Sequence, residues 1–370
     1  MDKLISDVHD SRPDWIMSRY NQEVKGGSSI KHKDIPTIVG TMNTIDATDT
    51  TDTTDTIKTT ETTKATDTVN TDTADADGYK SYAYVVLLMM GDSYLPGCLT
   101  VAKSIRDTMK SDDIDIVCMV TNDVSQEAII KLGKLYDHIF PIDYIEHDVH
   151  KLRTEKQNKL YEKWASKSFT KWRCMGLPYK KVLLLDADQL LVNTCDDLFE
   201  LNAPAGCFIS PYYNLYAGSH GLPDNYEQHK GQLQHGDSVP PTSIRKSFGD
   251  SLVVWGASIL LPGNRRNKHS KSVGNVDYVD KLLKLLDSSS TYGHKGCFSM
   301  DDEQLITELF MFEWTNISNL YNIIPWQRKQ YISGTDMIYH YVGMKPWDMK
   351  PDEYPDLKLW WDIYKSVGDV

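Results

Sequence analysis

Two carboxylates stand at the end of an apolar stretch of the sequence, at Asp186 and Asp188. They follow residues 182–185, a run of aliphatic side chains that is typical of a strand buried on both faces. Residues i and i+2 of a strand point the same way, so both carboxylates could reach one hard cation. Together with a diphosphate, such ligands suit Mg²⁺ or Mn²⁺. The alternative is a structural turn before a helix that starts at Asp196-Asp197, with an Asp as the helix cap.

The surrounding sequence predicts an α/β fold that would place this pair at the edge of a sheet. Apolar runs alternate with helical patterns, and this order implies right-handed crossovers and a mostly parallel central sheet. Ligands on such sheets bind beyond the carboxyl ends of the strands. The predicted strands are residues 83–90, 114–120, 138–142 and 182–185, and the predicted helices cover residues 99–109, 125–136 and 155–175.

A second motif, HYVGMKPW, lies far downstream at residues 340–347. Together with LLLDADQLLVN and DDLF around Asp186, it resembles the signature of glycosyltransferase family 8, the glycogenin-like retaining enzymes. The resemblance implies a single domain with the GT-A fold, a Rossmann-like nucleotide-binding α/β architecture, and metal-dependent sugar transfer. The implied ligands of Mn²⁺ or Mg²⁺ are Asp186, Asp188 and His340, and the residues implied to hold the donor diphosphate are Gly343 and Lys345.

The same resemblance assigns roles to residues elsewhere in the chain. Residues 89–106 resemble the family's first loop and helix, which places Tyr94 against a uracil base. SFTKWRC resembles the T-K segment, which places Lys171 near the donor sugar, and DDEQL places Asp302 near the anomeric carbon. Asp302 would either attack as a nucleophile or, as we favour, hold sugar or acceptor hydroxyls during a same-face attack. The implied catalytic residues are Asp302 and Lys171, and the implied donor-binding residues are Leu88, Met89, Tyr94, Lys171, Asp186, Ala187, Asp188, Gly256, Gly343 and Lys345.

Two segments depart from the family's pattern. The family shows N-x-G or G-G before the strand that follows the DxD region, whereas this sequence keeps Gly256 but has Val254 or Trp255 in place of the Asn. Residues 210–245 are longer than in glycogenin and rich in Tyr, His, Gly and Pro, which is expected of either a functional loop or a surface insertion. Tyrosines at positions 212, 213, 216 and 226 make self-modification conceivable.

The resemblance also implies the substrates. The donor is expected to be a UDP-sugar, with UDP-glucose first and UDP-galactose or UDP-N-acetylglucosamine next. The acceptor is expected to be a hydroxyl group on a protein, a glycan or a small molecule. Two alternatives stay open: a haloacid-dehalogenase-like Mg-dependent phosphatase, which also places a DxD after an apolar strand, and a non-catalytic sugar-nucleotide-binding protein. The KPW segment has no role in the phosphatase, and the complete set of metal and lysine residues argues against the non-catalytic alternative.

Composition and charge bear on the remaining classes of function. The 370 residues carry a formal charge of −12, whereas a nucleic-acid-binding protein needs a basic surface. No apolar run approaches the roughly 20 residues of a membrane span, and the first residues lack the apolar stretch of a signal peptide. The six cysteines include no CxxC pair, so buried reduced thiols and a cytoplasmic location are expected. A homodimer is left open.

Three regions of the chain differ in composition. Residues 44–77 contain 15 threonines, eight aspartates and no aromatic residue, so they cannot bury enough apolar surface to fold. We predict a disordered Thr/Asp-rich linker over 44–78, acting as a solvated spacer rather than a modified tail. Residues 1–43 are of uncertain order, and residues 79–370 are predicted to form the glycosyltransferase domain.

Overall fold

The structure is a computed structural model that describes residues 78–151, 155–209, 234–241, 253–265, 277–288, 300–325, 336–343, 345–351 and 355–368. Several predicted features lie outside these ranges and stay predictions. They are the segment 1–43, the Thr/Asp-rich tract up to residue 77, and the loop 210–245 with its four tyrosines, apart from residues 234–241.

Four parallel strands form the half of the sheet that the sequence predicted. They are β1 (Tyr82–Leu88), β2 (Ile114–Val120), β3 (His138–Pro141) and β4 (Lys181–Leu185). Their spatial order is β4-β1-β2-β3, so the chain runs outward from β1 to β3 and then returns to β4 on the other side of β1. This reversal creates a topological switch point between β1 and β4.

The helices of this half differ in length from the prediction. α1 (Leu95–Thr108) starts at a proline-containing turn, and α2 (Gln126–Leu132) is capped by the Ser125 side chain and ends at Gly133. The predicted helix 155–175 is instead a short α3 (Glu155–Tyr161) followed by a 3₁₀ helix, Ala165–Gly176. The Ser168 hydroxyl donates to the Ala165 carbonyl at 2.8 Å, a local bond that competes with regular α-helical pairing.

The second half of the described chain completes the sheet with short strands. β9 (Ile259–Pro262) runs antiparallel to β4 and to β6 (Ala205–Gly206), and β10 (Thr315–Asn316) pairs parallel with β6. Seven strands of the described ranges thus form one mixed, mostly parallel sheet, and the predicted α/β class is confirmed. Two small ladders lie outside it: β5 (Gln189–Leu191) with β11 (Ile338–His340), and β7 (Phe208–Ile209) with β8 (Val253–Val254). The later helices are α4 (Tyr278–Ser288), α5 (Asp301–Leu309) and α6 (Pro355–Ser366), with 3₁₀ helices at Asp196–Glu200, Asn319–Tyr321 and Pro346–Asp348.

The core consists of two apolar clusters that receive alternate residues of the same strands. Along β1, Val85 joins the cluster that contains Trp172, whereas Tyr84 and Val86 join the cluster on the α1 side. This alternation explains why the parallel strands are apolar throughout. The last described helix, α6 (Pro355–Ser366), has Trp360 fully buried.

The described ranges bear on two general expectations, which concern the cysteines and a membrane span. The cysteines at positions 98, 118, 174, 195 and 207 are buried there, and their thiols form no disulfide bond. None of the helices in these ranges has both the length and the apolar character needed to cross a bilayer.

Candidate active site

A cavity of about 320 Å³ opens where β1 and β4 end, at the topological switch point. Residues 186–188 follow β4 and line one side, and Met89 and Met90 follow β1 on the other. The lining combines apolar walls with a few charged groups, as small-molecule sites do. The predicted site residues that line it are Met89, Tyr94, Lys171, Asp186, Ala187, Asp188 and Lys345.

Leu88 lies away from this cavity. Its side chain is fully buried in the cluster on the α1 side, whereas the neighbouring Leu87 lines the cavity. Successive residues of a strand face opposite sides, so only one of the two leucines can reach the cavity. The wall expected from Leu88 is therefore supplied by Leu87.

Asp186, Asp188 and His340 come together because β5 pairs with β11. In this ladder His340 lies opposite Gln189, and the Tyr341 N–H donates to the Asp188 carbonyl at 2.9 Å. The His340 Nε2 atom lies 3.4 Å from Asp188 Oδ1 and 3.8 Å from Asp186 Oδ2. One donor atom from each residue lies within 4.8 Å of the others. These three residues with Lys345 are named the outer cluster.

The imidazole of His340 is oriented by a residue that the sequence did not single out, Asn322. The His340 Nδ1 atom lies 2.7 Å from the Asn322 side-chain oxygen, which can only accept a hydrogen bond. Nδ1 therefore donates to Asn322, and Nε2 is the ring nitrogen that faces the two carboxylates. This arrangement is the usual way in which a metal-binding histidine is held.

Lys345 supplies the fixed positive charge of the outer cluster. Its ammonium group donates to Asp188 Oδ2 and lies 5.6 Å from the centre of the Tyr94 ring. Burial alone would raise the pKa of Asp188, but Lys345 and His340 outweigh it and hold this pKa well below its usual range. Burial and the charge of Asp188 raise the pKa of Asp186 against the opposing effect of Lys171. The two carboxylates thus differ, with Asp188 the more strongly ionised.

The amino-terminal turn of α1 packs directly on the Asp186–Asp188 turn. A Cβ atom on Gly97 would lie 2.2 Å from the Ala187 carbonyl oxygen and 2.6 Å from the Trp347 ring, so only glycine fits there. The rings of Tyr94 and Trp347 meet edge to face with centroids 5.2 Å apart. Trp347 therefore packs against the Tyr94 wall of the cavity.

Gln189 fixes the backbone of the turn that carries the carboxylates. Its side-chain oxygen accepts from the Asp186 N–H at 3.0 Å, and its side-chain nitrogen donates to the Ser258 hydroxyl at 2.7 Å. Ser258 is fully buried, with φ of 52°, and Met90 on the cavity wall has φ of 62°. Left-handed backbone at non-glycine residues is uncommon and often marks functional sites.

A second charged group, the inner cluster, meets the cavity through Lys171 and consists of Lys171, Asp302, Glu303 and Gly256. The Lys171 Nζ atom lies 2.7 Å from Asp302 Oδ2, and the Asp302 side chain is 1% exposed. A Cβ atom on Gly256 would lie 2.1 Å from Lys171 Nζ, so the ammonium group rests directly on the glycine backbone. Gly256 therefore makes room for Lys171.

Glu303 closes the inner cluster from the side of α5. Its carboxylate accepts from the Gly256 N–H at 3.0 Å and from the Met300 N–H at 3.2 Å. Burial, followed by the charge of Asp302, raises the pKa of Glu303 to about 7, although Lys171 and the two N–H groups oppose the shift. Burial would lower the pKa of Lys171, but Asp302, Asp186 and Glu303 outweigh it and raise this pKa above its ordinary value. Lys171 is therefore a permanent cation.

The structure shows the surroundings of Trp255 and Gly343, and it adds supporting residues to which the sequence analysis gave no role. Trp255, which stands near the missing family Asn, places its ring 5.7 Å from the His340 ring. Gly343 has φ of 93°, a conformation that favours glycine. Asn322, Gln189 and Glu303 carry no spacing signal, because each acts on a residue that is distant in sequence or on a backbone group.

The outer cluster fits a divalent cation. Two carboxylates and a neutral imidazole nitrogen are ligands that Mn²⁺ accepts, and Mg²⁺ takes the carboxylates. The donor atoms already face one another within 4.8 Å, and Asn322 holds the imidazole in the ligating tautomer. In the part of the chain that the structure describes, one group of three or more His, Cys, Asp or Glu side chains has its donor atoms this close together, and it is Asp186, Asp188 and His340.

Comparison with known proteins shows a similarity to glycosyltransferases. Residues 85–233 match the family described as Glycosyl transferase family 8, a range that contains Tyr94, Lys171, Asp186 and Asp188. A protein of Acanthamoeba polyphaga mimivirus is 25% identical over 313 residues, which are 78% of this chain and 95% of the viral protein. Glycogenin of Komagataella phaffii is 25% identical over 77% of this chain and 64% of its own length. Glycogenin of Neurospora crassa is 29% identical over 31% of this chain and 16% of its own length.

Two solved structures show a distant likeness. The glycosyltransferase GlyE of Streptococcus pneumoniae matches 77% of this chain and 62% of its own, with 17% identity and a TM-score of 0.42. The galactosyltransferase LgtC, in complex with donor and acceptor sugar analogs, matches 77% of this chain and 97% of its own, with 13% identity and a TM-score of 0.43. Likenesses of this degree carry no functional argument.

The family match over residues 85–233 and the glycogenin relatives confirm the predicted resemblance to glycosyltransferase family 8, and they support a glycosyltransferase. This class accounts for His340 and Lys345 beside the DxD pair, which the phosphatase alternative does not. His340, Lys345 and Asp302 lie beyond the matched range, so the roles expected of them stay predictions.

Proposed function

We propose that the protein is a metal-dependent retaining hexosyltransferase that moves a sugar from a UDP-sugar to a hydroxyl acceptor. The observation that carries this proposal is the outer cluster, in which Asp186, Asp188 and His340 Nε2 converge beside Lys345 at the switch-point cavity. Three cation ligands with a neighbouring ammonium group suit a diphosphate better than a neutral ligand.

The residues of the outer cluster would hold Mn²⁺ or Mg²⁺ and the diphosphate. When bound, the cation supplies positive charge to the leaving diphosphate. Asp186 and Asp188 would each offer a carboxylate oxygen, and His340 would offer Nε2. Lys345 would release Asp188 Oδ2 to the cation and turn its ammonium group to the phosphates, while the backbone at Gly343 approaches closely.

The cavity wall would hold the nucleoside. Tyr94 is an aromatic residue of the cavity wall beside Lys345, and Leu87 and Met89 add apolar surface. A uracil ring against Tyr94 would place the phosphates toward Lys345, whose ammonium group already faces that ring. Ala187 would contribute its backbone, because it lies between the two carboxylates in the cavity wall.

The inner cluster would lie beside the transferred sugar. In the reaction, the bond between the anomeric carbon and the phosphate oxygen breaks, and the acceptor oxygen bonds to that carbon from the same face. The acceptor proton passes to the departing phosphate oxygen. Asp302 is held in an ion pair with Lys171 and is almost fully buried, which disfavours it as a nucleophile. This supports same-face attack, with Asp302 and Lys171 holding sugar or acceptor hydroxyls.

UDP-glucose is the first choice of donor, as the resemblance to glycogenin-like enzymes implies, and three relatives of this chain are named glycogenin or glycogenin-1. UDP-galactose and UDP-N-acetylglucosamine are the next candidates. The acceptor is proposed only as a hydroxyl group on a protein, a glycan or a small molecule. A non-catalytic protein with the same cluster would bind the donor without cleaving it.

The test is hydrolysis and transfer with a panel of UDP-sugars, with Mn²⁺, with Mg²⁺ and with chelator. The expected result is metal-dependent release of UDP from one sugar above the others. Intact mass would reveal any hexose added to the protein itself. Tight UDP binding with no UDP release from any donor, in the presence of candidate acceptors, would contradict the transferase and favour the non-catalytic alternative.

A further inference from the structure

We propose that Glu303 is a positioning residue that holds the Gly256 backbone beneath the Lys171 ammonium group and so fixes the Lys171–Asp302 ion pair beside the cavity. The inference rests on the proposed function for its kinetic test. Its structural basis is independent of any bound ligand. No role follows for Glu303 from the motifs or from the family match, which ends before α5.

The first support is the pair of hydrogen bonds that Glu303 accepts. One carboxylate oxygen takes the Gly256 N–H at 3.0 Å and the other takes the Met300 N–H at 3.2 Å. These N–H groups belong to the segment after β8 and to the residue before α5. Both oxygens of Glu303 are thus committed to the backbone, so its carboxylate joins two segments and is not aimed at substrate.

The second support is the absence of spare room around Gly256. A Cβ atom added there would lie 2.1 Å from Lys171 Nζ and 3.5 Å from Glu303 Cγ. The ammonium group, the glycine backbone and the Glu303 side chain therefore lie in direct succession. If the Gly256 N–H is released, the support beneath Lys171 moves with it, and the 2.7 Å contact with Asp302 is disturbed.

The third support is the charge balance of the cluster. The titratable groups that face Glu303 are Asp302 on its own helix and Lys171 from the 3₁₀ helix Ala165–Gly176. The segment from Val253 to Ser258 contributes no titratable side chain. Burial beside Asp302 raises the pKa of Glu303 to about 7. Protonation leaves one good acceptor oxygen for two N–H groups, so the positioning contact is complete only in the ionised form.

The kinetic test is the Glu303→Gln variant, which keeps the size of the side chain and one acceptor oxygen but removes the charge. It should resemble the wild type at low pH. At pH 8 its kcat should be about ten-fold lower, the effect of one lost hydrogen bond to a charged group. At pH 6 the two enzymes should converge. Because both keep His340 and every other titrating group, the ratio of their kcat values isolates Glu303.

The Gly256→Ala variant tests whether Glu303 acts through Gly256. Its Cβ atom would displace the Lys171 ammonium group, so it should lower kcat in the wild-type background. It should lower kcat much less in the Glu303→Gln background, where the Lys171–Asp302 pair is already disturbed. Glu127→Gln, which removes an exposed charge paired with Lys131, is the matched control and should change neither kcat nor its pH dependence. A kcat ratio that is constant from pH 6 to pH 8, or fully additive effects, would overturn the inference.

A stability measurement separates this inference from the proposed function. The folded-state pKa of Glu303 lies above its ordinary value of 4.5, so ionisation of the unfolded chain lowers the stability of the wild type as pH rises from 4.5 to about 7. In urea unfolding experiments, the wild type should therefore lose free energy of unfolding relative to Glu303→Gln as the pH rises across that window. A wild type that cleaves no UDP-sugar would refute the proposed function alone, whereas a flat stability difference would refute the placement of Glu303.

Discussion

The outer and inner clusters hold the same kinds of groups in different ways. Lys345 in the outer cluster and Lys171 in the inner cluster are equally buried, with side chains 16% and 15% exposed, and each pairs with a buried aspartate. The outer pair adjoins Asp186, which is 37% exposed, and His340, whose Nε2 atom faces both carboxylates. The inner pair is enclosed by Gly256 and Glu303.

This difference indicates in which cluster a divalent ion can replace the lysine ammonium group as the partner of the aspartate. In the outer cluster a divalent ion can take the carboxylate that Lys345 now contacts, because His340 and Asp186 complete the ligand set. In the inner cluster the backbone and the second carboxylate are arranged around one ammonium group. Under the proposed function, the outer cluster would bind a metal with the donor, and the inner cluster would hold a fixed charge beside the sugar.

The largest expected effect is the loss of metal-dependent turnover in Asp188→Ala. Removal of a ligand should lower kcat/KM by about a thousand-fold or more, since bound metal contributes several kcal/mol to transition-state stabilisation. The fold should persist, because Tyr341 bonds to the Asp188 backbone carbonyl rather than to its side chain. UDP release with Mn²⁺ and circular dichroism measure the two effects. Asp107→Ala, an exposed helix residue paired with Lys103, is the control, and full activity of Asp188→Ala would remove it from the ligand set.

The comparison between clusters is tested by Lys345→Met and Lys171→Met. Each change leaves a buried aspartate without its ammonium partner and should lower the free energy of unfolding by about 3 kcal/mol. Mn²⁺ should restore much of the loss in Lys345→Met, because a ligand that binds the native state stabilises it. In Lys171→Met the outer cluster is intact, so Mn²⁺ should stabilise this variant and the wild type equally, and the loss relative to the wild type at the same Mn²⁺ concentration should remain. Urea unfolding with and without Mn²⁺ decides this, and equal rescue of both variants would show that the clusters do not differ as described.

A smaller effect is expected from Asn322→Ala. Without the amide oxygen, His340 loses the partner that fixes its tautomer, and metal affinity should fall by about 10–100-fold. Mn²⁺ titration followed by electron paramagnetic resonance measures this directly. Asn193→Ala, which removes an amide bonded to the Asp336 carbonyl, is a matched control. Unchanged Mn²⁺ affinity in Asn322→Ala would mean that the imidazole is held by other contacts.

Much of the fold and part of the site follow from local sequence. The strands β1 to β4 were predictable because fully buried parallel strands have continuous apolar runs, and the Asp186–Asp188 pair was recognisable as an interruption of one. Tyr94, Lys171, His340 and Lys345 were found through motifs. The 3₁₀ helix at Ala165–Gly176 was not predicted, because its pattern of apolar residues also suits an α-helix.

The supporting residues could not be predicted, for a physical reason. Asn322 acts on His340, Gln189 on Asp186 and Ser258, and Glu303 on Gly256, and each bond joins segments whose proximity depends on the finished fold. The choice between Leu87 and Leu88 depends on which face of β1 meets the cavity, which an uninterrupted apolar run does not reveal.

The most direct test of the account is calorimetric titration of UDP with and without Mn²⁺, on the wild type and on His340→Ala. The metal would join β5 and β11 to the diphosphate, so UDP and Mn²⁺ should each raise the affinity of the other by about 5–150-fold in the wild type. His340→Ala should weaken this coupling more than it weakens UDP binding measured without metal. Equal UDP affinity in the two wild-type titrations would contradict a site built around a bridging metal at Asp186, Asp188 and His340.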